Sequence, residues 1–326
     1  LFVIPLFVTP ILSRIYTPED YGEWGIFSSI YMIVNYLLFL SYDNAIIKTK
    51  DINNIPNLCA LCVLVALGVI FIIFLLFSLG HAFNIIFFIK YPRFDMLIVM
   101  LSIGILQNIT IALANRFMFY GVMSISNIVN GISQASFRLL FGITLIVSSG
   151  IIIGAVVANF IALLVLIIGL RKILSTLDWR NVSFSGIKKM AILYKKFPLY
   201  DAPSNLLNFS SAQLAIIILA FFYSRSDIGC YSMVWQFVLL PISFVGSAIS
   251  KVYYQKVSAV SGNSQELTNV TLQVCKITIL ICMFPALFLV CGGDVLLVYV
   301  LGSQWHTAGT MSLCMAISSI PIILTE

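Results

Sequence analysis

Arg138 lies inside the apolar run Val122–Val147. An isolated Arg at the centre of a membrane helix costs roughly 2.5–3.5 kcal/mol on insertion scales. Asn127, Asn130, Gln134 and Arg138 fall at i, i+3, i+7 and i+11, along one side of a helix. Such a stripe does not face lipid. Either it lines a water-filled cavity that takes an anionic head group, or Arg138 is structural and satisfied by carbonyls and polar neighbours. No acidic residue lies within the predicted spans.

Other apolar runs carry polar stripes of their own. Ser232, Gln236, Ser243, Ser247 and Ser250 share one helical face. Ser204, Asn208 and Ser211 mark a second run, Asn108 and Asn115 a third, Asn35 and Tyr42 a fourth. Each alone reads more readily as the amide and hydroxyl bonding that joins membrane helices than as a ligand site. Recurring along the chain, they fit a central polar cavity whose neutral groups suit sugars and phosphates. Arg14, Lys48 and Arg116 stand near helix ends. Asp43 and Lys48 flank the end of one span and could pair there.

The elements that must position these groups are membrane helices. Of 326 residues, 61% are hydrophobic and 9% charged, against about 25% charged in soluble domains. Apolar segments run Leu1–Leu12, Trp24–Tyr42, Leu58–Leu79, Met96–Ala114, Val122–Val147, Ile151–Leu170, Ala202–Tyr223, Cys230–Ile249, Val270–Cys291 and Ala308–Leu324. Most match a hydrocarbon core of about 30 Å at 1.5 Å per residue. The expected fold is therefore an all-α polytopic membrane bundle with about ten transmembrane helices. The first and last runs read as cut, so the chain is expected to be a fragment.

Arg171–Asp201 is the longest polar stretch and holds seven of the eighteen basic residues. With ten spans, one side of the membrane receives Lys48, Lys50, Arg116, these seven, Lys251, Lys256 and Lys276, thirteen in all. The other receives Arg14, Lys90, Arg93 and Arg225. The richer side is cytoplasmic by the positive-inside rule, and the net charge of +6 is no sign of nucleic-acid binding. Within the stretch, Ile187, Met190, Ala191, Tyr194 and Phe197 form an apolar stripe flanked by Lys188, Lys189, Lys195 and Lys196. That pattern predicts an interfacial helix on the anionic leaflet.

An internal repeat divides the chain. Tyr16-Thr17-Pro18-Glu19-Asp20-Tyr21-Gly22 lies over Tyr223-Ser224-Arg225-Ser226-Asp227-Ile228-Gly229 at a constant offset of 207. An aromatic residue, Trp24 or Tyr231, follows each Gly by two positions. Six spans separate the copies, which makes the repeat a parallel one. The expected organisation is a first lobe over 1–170, a basic linker over 171–201 and part of a second lobe over 202–326.

No catalytic or metal-binding constellation is visible. Cys59-x-x-Cys62 lies within an apolar run, and His81 and His306 are far apart. No phosphate-binding loop of the G-x-x-x-x-G-K-[ST] form occurs, and no cofactor is expected.

Four stretches resemble a known family. Arg14 to Gly25 (Arg-Ile-Tyr-Thr-Pro-Glu-Asp-Tyr-Gly-Glu-Trp-Gly) resembles the loop after the first helix in polysaccharide-biosynthesis flippases of the Wzx type, such as O-antigen exporters. Tyr42 to Lys48 resembles the end of their second helix. Phe197 to Asn208, with Asp227 to Tyr231, resembles the start of their second lobe. The resemblance implies the multidrug/oligosaccharidyl-lipid/polysaccharide exporter superfamily, with two six-helix lobes about a pseudo-two-fold axis. It implies a non-enzymatic role: moving an undecaprenyl-diphosphate-linked oligosaccharide, an O-antigen or capsule unit, across the bacterial cytoplasmic (inner) membrane. Membrane lipids and other polysaccharide-assembly proteins are the implied partners. A cation-coupled drug exporter of the same fold, or a polysaccharide polymerase or ligase, are the alternatives. The candidate substrate-binding residues are Arg138, Gln134, Asn130, Asn127, Asn108, Asn208, Ser211, Gln236, Arg14, Lys48 and Arg116.

Overall fold

A computed structural model describes residues 3–83, 93–144, 147–239 and 264–325, with isolated positions between 249 and 257. Every regular element among the described residues is helical. The helices are α1 (Val3–Ile15), α2 (Pro18–Leu37), α3 (Asp43–Lys48), α4 (Ile55–Ala82), α5 (Phe94–Arg116) and α6 (Tyr120–Ile143). They continue as α7 (Val147–Thr176), α8 (Phe184–Leu193), α9 (Ala202–Phe222), α10 (Arg225–Val234), α11 (Ser264–Leu301) and α12 (His306–Thr325). Ile52–Ala82, Phe94–Arg116 and Ser149–Thr176 are each long and apolar enough to cross a membrane on their own. Phe197–Asn208 and Gln213–Phe222 are apolar enough together, but bent by 59°. Large apolar side chains on α4, including Leu67, Phe71, Ile72 and Leu76, are exposed, as lipid-facing residues are. The protein is an all-α polytopic membrane protein.

The chain divides into two compact units, which are not the sequence halves. One holds residues 1–5 and 24–222; the other holds 6–23 and 223–326. All of α9, up to Phe222, thus belongs to the first unit, while most of α1 and the first six residues of α2 belong to the second.

In the larger unit, Phe27, Leu38, Ile46, Ile55, Leu58, Leu97, Leu101, Leu113 and Ile152 form the buried core. Apolar side chains recurring every three to four residues on α4 and α5 supply most of it. The pair α6–α7 packs closely because α7 presents Gly154, Ala158 and Ala162 at four-residue spacing, all buried. Ser126 Oγ donates to the Ala162 carbonyl at 2.8 Å across this seam.

The central basic stretch is tied to the same unit. Asn57, at the start of α4, accepts from the Ser183 backbone N–H at 3.1 Å, and Ser183 Oγ caps α8 by accepting from Gly186 N–H. Tyr42 Oη donates to the Ala191 carbonyl at 3.2 Å. Of the predicted stripe, Ile187, Met190 and Ala191 lie on α8 while Tyr194 and Phe197 follow its end, and it faces protein. Met190 and Phe197 are buried, and Ile187, Ala191 and Tyr194 pack on the core. The exposed side carries Phe184, Ile192 and Leu193 beside Lys188 and Lys189.

In the smaller unit, both copies of the repeat fold alike. Thr17 N–H donates to Asp20 Oδ2 at 2.8 Å, and Asp20 N–H donates to Thr17 Oγ1 at 3.3 Å. Ser224 N–H donates to Asp227 Oδ2 at 3.3 Å, and Asp227 N–H to Ser224 Oγ at 3.2 Å. Each is a reciprocal capping box at the start of a helix. The two helix starts then cross. A Cβ on Gly22 would stand 1.8 Å from the Arg225 carbonyl oxygen; one on Gly229 would stand 1.8 Å from that of Pro18. Gly22 and Gly229, like Pro18 and Arg225, are repeat equivalents, so the crossing is two-fold in character. Glycine is required because backbone meets backbone there.

Two segment boundaries differ from expectation. The run ending at Cys291 continues as α11 through Gly292, Gly293 and Asp294 to Leu301, 38 residues or about 57 Å. Packing along α12 outweighs the loss of about 1 kcal/mol per glycine. The run ending at Tyr42 instead breaks after Leu37, and Leu40 and Ser41 take positive φ of 46° and 62°. The far half of the run Cys230–Ile249, with Ser243 and Ser247, lies outside the described residues, as do Lys90, Lys251 and Lys256.

Candidate functional site

Two polar regions among the described residues of the larger unit hold most of its candidate residues. The first is the α6–α7 seam. Gln134 Nε2 donates to Asn130 Oδ1 at 2.8 Å, Asn130 Nδ2 to Asn159 Oδ1 at 3.2 Å, and Asn159 Nδ2 to the Ala155 carbonyl at 2.8 Å. These amides form a chain of bonds between the two helices. Asn159 was not among the candidates; it is a single amide in a long apolar run, with no stripe to mark it. Asn127 is exposed on α6, on the outer part of the same face.

One turn beyond Gln134, Arg138 sits where Gly154 brings α7 close. A Cβ on Gly154 would stand 3.0 Å from Arg138 Cγ and 3.1 Å from its backbone N. The guanidinium carbon lies 4.5 Å from the Trp24 ring centroid, a cation–π distance. The indole gives this charge an apolar backing within a helix bundle. Trp24 itself stacks on Phe27, centroids 5.9 Å apart, which fixes the ring.

The second region is a cavity of about 220 Å³ where α2 breaks. Asn35, Tyr36, Ser41, Asp43, Asn108 and Asn205 line it, with Phe39 and Asn44. Asn108 Nδ2 donates to Asn35 Oδ1 at 3.0 Å, and Asn205 Nδ2 reaches Ser41 Oγ at 3.4 Å. Gly104 makes room on α5: a Cβ there would stand 3.0 Å from Asn35 Oδ1. Burial pushes the Asp43 carboxyl up from its ordinary 3.8, against the pull of its own N–H and that of Asn44. Asn35 and Asn108 were legible as stripes. Ser41, Asp43 and Asn205 join them only because the backbone turns back at residues 38–42.

The remaining candidates are dispersed. Arg116 Nη1 donates to the carbonyls of Ile46 and Ile47, both at 3.1 Å, and so fastens α5 to the end of α3. Lys48 Nζ stands 5.0 Å from the Phe197 ring centroid. Asn208 is exposed on α9, and Ser211 lies on the same helix. Arg14 and Gln236 belong to the smaller unit, where Arg14 is exposed and Gln236 Nε2 donates to Thr9 Oγ1 at 3.3 Å. Among the described residues, no group of three or more His, Cys, Asp or Glu comes together to hold a metal.

No curated protein and no solved structure matches the chain. A family model described as polysaccharide biosynthesis protein matches residues 11–309, nearly its whole length. The chain therefore belongs to the polysaccharide biosynthesis protein family, with a role in polysaccharide assembly or export.

Proposed function

We propose that the protein is a flippase. It carries a polyprenyl-diphosphate-linked oligosaccharide from the cytoplasmic to the outer leaflet of a bacterial cytoplasmic membrane, by alternating access. The observation that carries this reading is the Arg138 guanidinium, held on the Trp24 ring inside a helix bundle of a polysaccharide-biosynthesis protein. A delocalised cation with several N–H donors suits a diphosphate, and low local dielectric strengthens the pairing. The polyprenyl tail stays in lipid, against the exposed apolar faces of helices such as α4.

The inside-negative potential favours outward movement of an anion by about 2.3 kcal/mol per charge per 100 mV. A bound diphosphate is drawn in the required direction without nucleotide hydrolysis. Asn130, Gln134 and Asn159 serve this role by holding the helix pair that presents Arg138. The basic exposed side of α8 rests on the cytoplasmic leaflet and keeps that orientation.

The test is replacement of Arg138 by Ala in the full-length protein. Surface polysaccharide is expected to be abolished with expression in the membrane unchanged, and Arg138→Lys to restore a fraction. Normal polysaccharide in the Ala variant would sink the assigned role.

A further inference from the structure

We propose that the cavity at the break of α2 is a saccharide subsite that takes one sugar ring of the transported lipid. This rests on the flippase reading and adds to it where the sugar is recognised. Three observations lead there.

The lining chemistry is the first. Asn35, Asn108 and Asn205 bring amides, each with donors and acceptors; Ser41 and Tyr36 bring hydroxyls; Asp43 brings an acceptor. Sugar hydroxyls both donate and accept, so they match a mixed set. Tyr36 and Phe39 supply rings for the apolar face of a pyranose. A bare cation would need acceptors alone, and three of the lining side chains are amides that carry N–H donors as well. Asp43 is the one charged side chain of the lining, and it repels phosphate. The diphosphate belongs at Arg138 and the sugar here.

Size is the second observation. About 220 Å³ holds a single ring rather than a chain. The hydrogen bond from Asn108 Nδ2 to Asn35 Oδ1 uses one donor of one amide and one acceptor site of the other, a part of what these two lining side chains can offer.

Backbone strain is the third. Leu40 and Ser41 both have left-handed φ, 46° and 62°, a conformation rare for residues with side chains and rarer for two in succession. It turns the chain so that Ser41 and Asp43 both line the cavity. An ordinary continuation of α2 would put these two residues, two positions apart, on nearly opposite faces of the helix. By the charge tally, this end of α2 is cytoplasmic, the side from which the saccharide is loaded.

The test uses the full-length protein in lipid nanodiscs and two probes, undecaprenyl diphosphate and the same lipid bearing one hexose. Wild type is expected to bind the sugar-bearing lipid about tenfold more tightly, the effect of one or two good hydrogen bonds. Asp43→Asn and Asn205→Ala are each expected to shrink that ratio several-fold, with thermal melting reporting that both variants fold. Equal wild-type affinity for the two lipids would overturn the subsite and leave the flippase reading standing. A ratio undiminished in both folded variants would overturn its location. A sodium requirement without sugar preference would make the cavity a cation site and also overturn it. Failure to bind either lipid would overturn the flippase reading itself.

Discussion

The two polar regions of the larger unit are built from the same residue types and put them to opposite uses. Along the α6–α7 seam, Asn130, Gln134 and Asn159 bond to one another and to backbone, and little of their capacity faces outward. Around the broken end of α2, amides and hydroxyls face a cavity. The difference comes from the backbone. Small residues on α7 let two helices close until their amides meet, whereas at Leu40 and Ser41 the chain leaves the helix beside a cavity. A polar residue in a membrane helix thus says that something polar is near it. Whether that is another side chain or a ligand depends on how closely the backbones approach.

Four substitutions or conditions probe this contrast. The largest effect is expected from Gly154→Val, which would push α7 away from Arg138. Overpacking of this kind costs about 1–3 kcal/mol. Surface polysaccharide should be lost and the thermal midpoint should fall together. Asn159→Leu comes next. It strands the partner amide Asn130 and should lower stability by about 1–2 kcal/mol in a thermal or denaturant series, with export reduced in proportion. If Asn159→Leu left stability untouched, the seam would not be structural glue.

Asn205→Ala should show the reverse balance. Its bond to Ser41 is long, 3.4 Å, so stability should change by no more than about 0.5 kcal/mol. Transport of the sugar-bearing lipid should still fall several-fold, measured in reconstituted vesicles. A variant that lost stability and transport in step would erase the distinction between the regions.

The smallest effect concerns pH. Burial raises the Asp43 carboxyl above its ordinary 3.8, so the folded protein holds this proton more tightly than the unfolded chain. Its contribution to stability is full below 3.8 and is lost as pH rises through the higher folded value. Sugar binding has the opposite sign, since it uses the carboxylate as an acceptor. As pH falls through the folded value, preference for the sugar-bearing lipid should weaken while the fold gains slightly. Asp43→Asn should remove both dependences.

Much of this was legible in the sequence. Composition and segment length are enough for an all-α membrane fold, because no soluble core could take up so much apolar surface. The Asn130–Gln134–Arg138 stripe was visible at helical spacing, and so were Asn35 and Asn108. Asn159 and Gly154 were missed, although Gly154, Ala158 and Ala162 form a small-residue series that marks a close helix pair. The cavity was hidden for a different reason. Leu38-Phe39-Leu40-Ser41-Tyr42 contains no Gly or Pro, so nothing local announces the reversal that brings Asp43 and Asn205 into one site. The α8 stripe was placed correctly by residue, but periodicity alone does not say whether an apolar face meets lipid or protein.

The crossing of Gly22 with Gly229 bears on how the chain is made. The capping box at Thr17 leaves the ribosome before its counterpart, and the backbone it packs against is encoded 207 residues later. At about 5–20 residues per second, that interval is on the order of ten to forty seconds. Throughout it, α1 and the first turn of α2 sit in the membrane without their partner, while the larger unit can already assemble behind them. Insertion is therefore out of order with synthesis: α1 enters ahead of the helices of the larger unit and is locked after them.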